Sequence, residues 1–220
     1  THGATLSGRV RFASHGSPAP DMTQLRLYAP LEDGTKFGGE PKGRIGTNGR
    51  FSVVGVDAGN RLIRATQVPA PWSLERVTQR GRDITDTPIQ IQQGQKLQDV
   101  ELTFTDTAPT INGLVLAASG RTVVDGLVVA FPVDRTLWRA ASRYIQSART
   151  DWQGHYTLGP LPPGQYLVVS VNGYDEADLF ERETLDQLSR QATSVFLSAG
   201  QRRRHDLIEG APGGFIPVPF

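Results

Sequence analysis

The sequence predicts an all-β protein of two tandem antiparallel β-sandwich domains, with one or two short helices inserted in the second. Three observations carry that prediction. Apolar and polar residues alternate over short runs, 24 Gly and 15 Pro punctuate the 220 residues, and one order of strand and turn signals occurs twice. Those 39 turn-formers exceed the usual share of about 12% yet stay below the roughly 25–30% of low-complexity disorder, so the chain reads as folded and cut into short elements.

Taken in order, residues 5–12 alternate loosely, with Leu6, Val10 and Phe12 on one face. Residues 24–28 put Leu25, Leu27 and Ala29 on one side, as a half-buried strand does. Strands follow at 50–54, 61–65, 88–92 and 100–105, each bounded by turn chemistry. The order then restarts. Ser7-Gly8-Arg9-Val10 is echoed by Asn112-Gly113-Leu114-Val115, and Gly46-Thr47-Asn48-Gly49-Arg50-Phe51 by Arg149-Thr150-Asp151-Trp152-Gln153-Gly154-His155-Tyr156. Val56-Asp57-Ala58-Gly59 is echoed by Leu161-Pro162-Pro163-Gly164, and Gly94-Gln95 by Gly200-Gln201. The separation is about 105 residues, the size of one sandwich domain. Pro109 interrupts pairing at a short stiff joint, which sets domains at 1–107 and 108–209 and leaves 210–220 as a Gly/Pro linker with an apolar tail.

The turns have specific expectations. Asn48-Gly49 predicts a type I′ hairpin turn, and Pro162-Pro163-Gly164 predicts a type II turn before the strand at 165–169. Two stretches follow helical rather than strand spacing. Residues 176–191 carry Phe180, Leu185, Leu188 and Ala192, with acids early and Arg190 late, as the helix dipole favours. Residues 134–144 carry Leu137 and Ala141, with Ile145 next in the series, and predict a second short helix.

Thr-x-x-Gly-x-Tyr, followed by Leu-Pro-Pro-Gly-Gln-Tyr and an apolar strand, resembles the carboxypeptidase regulatory-like domain. The stretches Trp72-Ser73-Leu74-Glu75-Arg76-Val77 and Gly81-Arg82-Asp83-Ile84-Thr85-Asp86-Thr87 look like the tandem version of exported bacterial proteins. The resemblance covers nearly all of residues 4–209, although Val56-Asp57-Ala58-Gly59 stands where Leu-Pro-Pro-Gly is usual. It implies transthyretin-like (prealbumin-like, Ig-like) β-sandwiches without catalysis of their own, found beside peptidases, receptors or adhesins.

Composition excludes several classes. With 23 Lys+Arg against 22 Asp+Glu the chain lacks the basic excess of a nucleic-acid binder. Zero Cys removes disulfides, thiolate metal sites and Cys nucleophiles. The longest apolar run, 127–131, has the length of a strand, so no transmembrane segment is expected. The chain begins at Thr1 with no leader, so it is expected to be a processed, exported product, periplasmic, cell-surface or extracellular. His2, His15, His155 and His205 stand alone, with no zinc-ligand spacing, and no Gly-x-Ser-x-Gly elbow or phosphate loop is present. Asp83 with Asp86, and Asp175, Glu176 and Asp178, match no calcium loop. The expectation is no catalytic residue, no metal and no cofactor. Arg202-Arg203-Arg204-His205 reads as a charged run that blunts a sheet edge.

Candidate binding residues are aromatic or apolar. Trp152 lies in a turn, where it can stack on a sugar ring or anchor a protein contact, with packing against a neighbouring loop as the favoured alternative. Trp72, in a long loop, and Trp138, in the second helical stretch, are further aromatic candidates, although lid-like packing over the sandwich is the favoured role of both. In the tail, Phe215, Ile216, Val218 and Phe220 alternate with Pro217 and Pro219 and suit docking in an apolar groove of a partner; packing on its own domain or a processing stub are the other readings. The leading expectation is a structural or protein-interaction component of a bacterial envelope or extracellular assembly, its partners other protein subunits, copies of itself included. A carbohydrate-binding module using exposed Trp is the alternative, and accessory domains of a larger peptidase or receptor polypeptide come third.

Overall fold

Strands dominate the computed structural model, which describes residues 3–35, 41–172, 174 and 176–210. The chain divides into two compact units, Thr1–Thr107 and Ala108–Phe220.

Unit 1 holds β1 (Ala4–Ala13), β2 (Arg26–Tyr28), β3 (Gly43–Ile45), β4 (Arg50–Val56), β5 (Gly59–Arg61), β6 (Arg64–Thr66), β7 (Ser73–Gln79), β8 (Arg82–Asp83), β9 (Ile89–Ile91) and β10 (Lys96–Thr105). Hydrogen bonding runs in the order β6-β2-β3-β4-β1-β10-β7-β8, with β5 paired to β9. β1 and β10 pair in parallel, while β1 pairs antiparallel with β4. Leu6, Leu25, Leu27, Val53, Leu102 and Phe104 are buried in one core, each worth roughly 1.5–3 kcal/mol of burial. The simple alternation expected for β1 breaks at Gly8: Leu6 pairs with Leu97 but Gly8 with Val100, so β10 carries one extra residue. Asp99 holds that bulge at φ 61°. The strand expected at 61–65 is split into β5 and β6, and residues 73–79, where no strand is expected, form β7.

Unit 2 holds β11 (Thr110–Leu116), β12 (Leu127–Pro132), β13 (Gln146–Arg149), β14 (His155–Leu158), β15 (Gly164–Val171), the helix α1 (Arg182–Ser189), β16 (Thr193–Leu197), β17 (Arg202–Arg204) and β18 (Leu207–Ile208). One sheet runs β14-β11-β17, with β18 also on β11; the other runs β13-β12-β15-β16. All six residues of β12 are buried, and its two faces enter different cores. Val128 and Ala130 pack with Ile111, Tyr156 and Tyr166, whereas Leu127, Val129 and Phe131 pack with Trp138, Leu179, Leu185 and Leu188. A strand covered on both faces reads as a continuous apolar run. This is why 127–131 shows no alternation.

The helical stretches differ from expectation. Residues 176–191 form a 3₁₀ turn, Glu176–Phe180, and then α1, broken at Glu181, which takes an extended backbone. The break rotates the register, so Leu179 is buried and Phe180 is 37% exposed. Residues 134–144 hold only a 3₁₀ turn, Arg135–Leu137, because Asp134 accepts from both the backbone and the hydroxyl of Thr136 and closes a tight cap.

The 105-residue offset reaches individual hydrogen bonds. The Val10 amide donates to Gly49 O (2.8 Å) and the Val115 amide to Gly154 O (2.9 Å). Thr5 donates to Gln95 O (2.8 Å) and Thr110 to Gln201 O (2.9 Å). Arg61 Nε donates to Asp57 O and the Tyr166 hydroxyl to Pro162 O, both at 2.6 Å, so two different side chains hold the same corner. The two expected turn types are not formed. Neither Thr47 nor Asn48 has positive φ; the turn closes from Gly49 N to Gly46 O (2.9 Å), and Gly49 alone is left-handed at φ 75°. Asp151–Gly154 repeats that three-residue loop, with Gly154 at φ 82°. Gly164 sits at φ 154° rather than near the ~80° of a type II turn. The Pro162 carbonyl is already held by Tyr166.

Candidate functional site

The three tryptophans separate into two buried and one exposed. Trp72 is 3% exposed, packs edge-on against Phe12 at 4.9 Å and donates from Nε1 to Pro18 O at 3.3 Å. Trp138 is 4% exposed, packs edge-on against Phe131 at 5.7 Å, donates to Pro132 O at 2.7 Å and carries the Arg135 guanidinium over its ring. Neither can offer a ring face to a sugar or a partner, which corrects their place among the binding candidates. Large apolar area outweighs surface use when a core neighbour and an acceptor for the indole N–H are both in reach. Trp152 is 75% exposed at the tip of the loop that joins β13 to β14. Asp151 holds that tip by accepting from the backbone amides of Gln153 (2.8 Å) and His155 (2.9 Å). The bond from His155 in particular keeps the Asp151 carboxyl below its ordinary range. The tail candidates Phe215, Ile216, Val218 and Phe220 lie outside the described residues.

Sequence reasoning missed a second exposed apolar feature, Phe196. It is 65% exposed on β16, which ends its sheet and pairs only with β15 among the described strands. The Thr-Ser-Val-Phe-Leu alternation carried the signal: Val195 and Leu197 are buried, so Phe196 must face out. β17 is also an edge, and its three arginines are all exposed, which blunts it. His205 departs from that run and is buried.

The repeat also builds one concave feature twice. In unit 1 an open groove of about 920 Å³ crosses β4, β1, β10 and β7 over Gly8 and the Asp99 bulge. A Cβ on Gly8 would lie 1.7 Å from Val100 O, so only glycine lets these strands approach. Arg9 and Arg11 both place Nε on Glu101 Oε2, at 2.7 and 2.9 Å. Arg80 and Asp99 face each other at 3.6 Å. In unit 2 a groove of about 260 Å³ lies over Gly113, where a Cβ would stand 1.9 Å from His205 O. There Leu114, His155 and Asp206 occupy the places of Arg9, Arg50 and Glu101. Asp206 accepts from the Leu114 amide at 2.9 Å and pairs with Arg204 at 2.9 Å. Beneath it, the Tyr156 hydroxyl donates to His205 O at 2.5 Å, and burial pushes that phenol's pKa up.

His205 Nε2 lies 2.5 Å from Thr193 Oγ1, tying the end of β17 to β16. Burial, and then Arg203, hold its pKa below the ordinary histidine value despite the opposing pull of Asp206. In unit 1, Asp106 accepts from the backbone amides of His15 and Ser17, both at 2.8 Å. Desolvation opposes its charge, but these bonds together outweigh it and bring the pKa to about 2. Among the described residues no three His, Asp or Glu side chains gather as a metal site. Asp83 Oδ1 is taken by the hydroxyl of Thr85 (2.6 Å) and Asp86 Oδ1 by Arg64 (3.3 Å). No helix among the described residues is long and apolar enough to cross a membrane.

No family model and no curated protein matches the chain. Solved structures similar to it include the Bacillus anthracis TIE protein, at 13% identity and TM-score 0.32 over 93% of this chain; the chain spans 33% of that protein's length. A putative carbohydrate binding protein from Pseudomonas aeruginosa is similar at 16% identity and TM-score 0.31, over 47% of this chain and 89% of that one. The shaft pilin SpaA from Lactobacillus rhamnosus GG is similar at 11% identity and TM-score 0.34, over 99% of this chain and all of that one. The functional reading therefore rests on the residues described above.

Proposed function

We propose that the chain is a non-catalytic structural component of an exported bacterial envelope or extracellular assembly. It is built from two tandem carboxypeptidase regulatory-like, transthyretin-like sandwiches over 1–107 and 108–209. The shared hydrogen bonds at an offset of 105 to 106 residues support the tandem reading. The observation that carries the interaction role is β16: an unblunted edge strand bearing Phe196 at 65% exposure. An edge strand offers a row of backbone donors and acceptors to another chain, and an outward aromatic beside them supplies an anchor. The partner is another subunit of the assembly, copies of this chain included, with Trp152 as a second contact and the tail 210–220 as a third.

Sedimentation velocity of the purified chain tests this. Self-association that rises with concentration is expected, and Phe196→Glu should abolish it by placing a charge where the aromatic would be covered. A wild-type chain whose association is untouched by Phe196→Glu would remove β16 from the account.

A further inference from the structure

The unit 1 groove is concave, polar and unequally charged. Arg9, Arg11 and Arg50 come from adjacent strands β1 and β4, and one carboxylate, Glu101, serves Arg9 and Arg11 together. Arg50 pairs in register with Arg9, lines the groove, and has no carboxylate partner among the described residues. Across the floor, Arg80 and Asp99 are both about 70% exposed at 3.6 Å, a loose pair that a ligand can re-partner. Among the lining side chains, Arg9, Arg50 and Arg80 stand against Asp99 and Glu101, which leaves one positive charge over.

The lining narrows the class of anion. Phe51 and Val100, its large apolar members, are buried, so the groove has no exposed apolar anchor for a protein hot spot. It has no exposed ring on which bases could stack. Carboxylates, amides (Asn48, Gln98) and guanidinia side by side suit a ligand that mixes hydroxyl donors with carboxylates. Arg50 supplies the planar fork that pairs bidentately with a carboxylate. We propose that this groove binds an acidic polysaccharide, a uronate chain, with Arg50 and Arg80 holding its carboxylates. The equivalent groove of unit 2 has Leu114 and His155 at the places of Arg9 and Arg50 and is smaller, so it serves as an internal control.

Titration calorimetry of the full chain with hexagalacturonate tests the assignment. Saturable binding is expected, weakened about tenfold by Arg50→Gln and further by adding Arg80→Gln, while His155→Gln leaves it unchanged. The affinity should fall as salt rises. Cellohexaose, which is neutral, should bind at least tenfold more weakly. The substituted side chains are exposed, so an unchanged melting temperature verifies that the variants are folded. Absence of saturable hexagalacturonate binding would overturn the proposal. So would affinity unmoved by Arg50→Gln with Arg80→Gln, or equal affinity for cellohexaose or for oligothymidylate.

Discussion

Gly113→Ala probes the repeat where its geometry is tightest. The new Cβ would stand 1.9 Å from His205 O, a backbone atom that cannot rotate away. An ordinary C···O approach is about 3.3 Å, so a gap of about 1.4 Å must open between β11 and the segment after β17. Flanking that point are the bonds from His205 N to Asn112 O at 2.8 Å and from Leu114 N to Asp206 Oδ1 at 2.9 Å. The Tyr156 hydroxyl bond to His205 O ends on the displaced atom itself. At about 1 kcal/mol each, with part of the group buried, their weakening costs about 2–4 kcal/mol. For a domain of this size each kcal/mol moves the melting temperature by about 4–8 °C, so unit 2 should melt roughly 8–32 °C lower. Thermal unfolding followed by circular dichroism reads this directly. Gly120→Ala is the comparison: Gly120 has φ 81° and open space around its Cβ position, so that variant bears backbone strain alone, about 1–2 kcal/mol. If Gly113→Ala is no more damaging than Gly120→Ala, the close strand approach does not hold the unit as described.

The corner bonds predict a graded pair: Tyr166→Phe should cost about 1 kcal/mol, and Arg61→Met about 3 kcal/mol, because a buried charged donor serves both Asp57 O and Ala29 O; urea unfolding measures both. Trp138→Ala should destabilise by about 3–5 kcal/mol, whereas Trp152→Ala should change stability by no more than about 0.5 kcal/mol, in the same assay. Asp106 has a folded pKa of about 2, below its unfolded value, so its stabilisation is present above pH ~4 and is lost as pH falls through 2. Asp106→Asn should flatten the urea midpoint over that window. His205 is held below its ordinary value, so the unfolded chain takes up the proton first and stability falls as pH drops below about 6.5, a slope that His205→Gln should remove.

Much of the architecture was legible because glycine and turn residues carry geometry in their identity. Gly8 with Gly113 and Gly49 with Gly154 recur at one offset because each holds a position a side chain cannot share, and those positions repeat with the fold. Turn type was not legible: Asn48-Gly49 is compatible with a type I′ turn, but the bond from Val10 to Gly49 O selects the three-residue loop, and that partner lies far away in sequence. The helix at 176–191 was visible as a period, yet its break at Glu181 depends on which of Leu179 and Phe180 reaches β12. The site was less legible still. A turn position sets Trp152 apart in the sequence and packing is the favoured role of Trp72 and Trp138, but it is the neighbours Phe12 and Phe131 that fix their burial. The unit 1 groove gathers residues from four strands, Ser7 to Glu101, and a linear pattern holds no trace of that convergence.

Sedimentation velocity across a hundredfold concentration range, on the chain and on Phe196→Glu, bears most directly on the central claim of assembly through the β16 edge. The account predicts association in the first and a monomer in the second. A chain that stays monomeric throughout, with Phe196→Glu indistinguishable from it, would contradict the account.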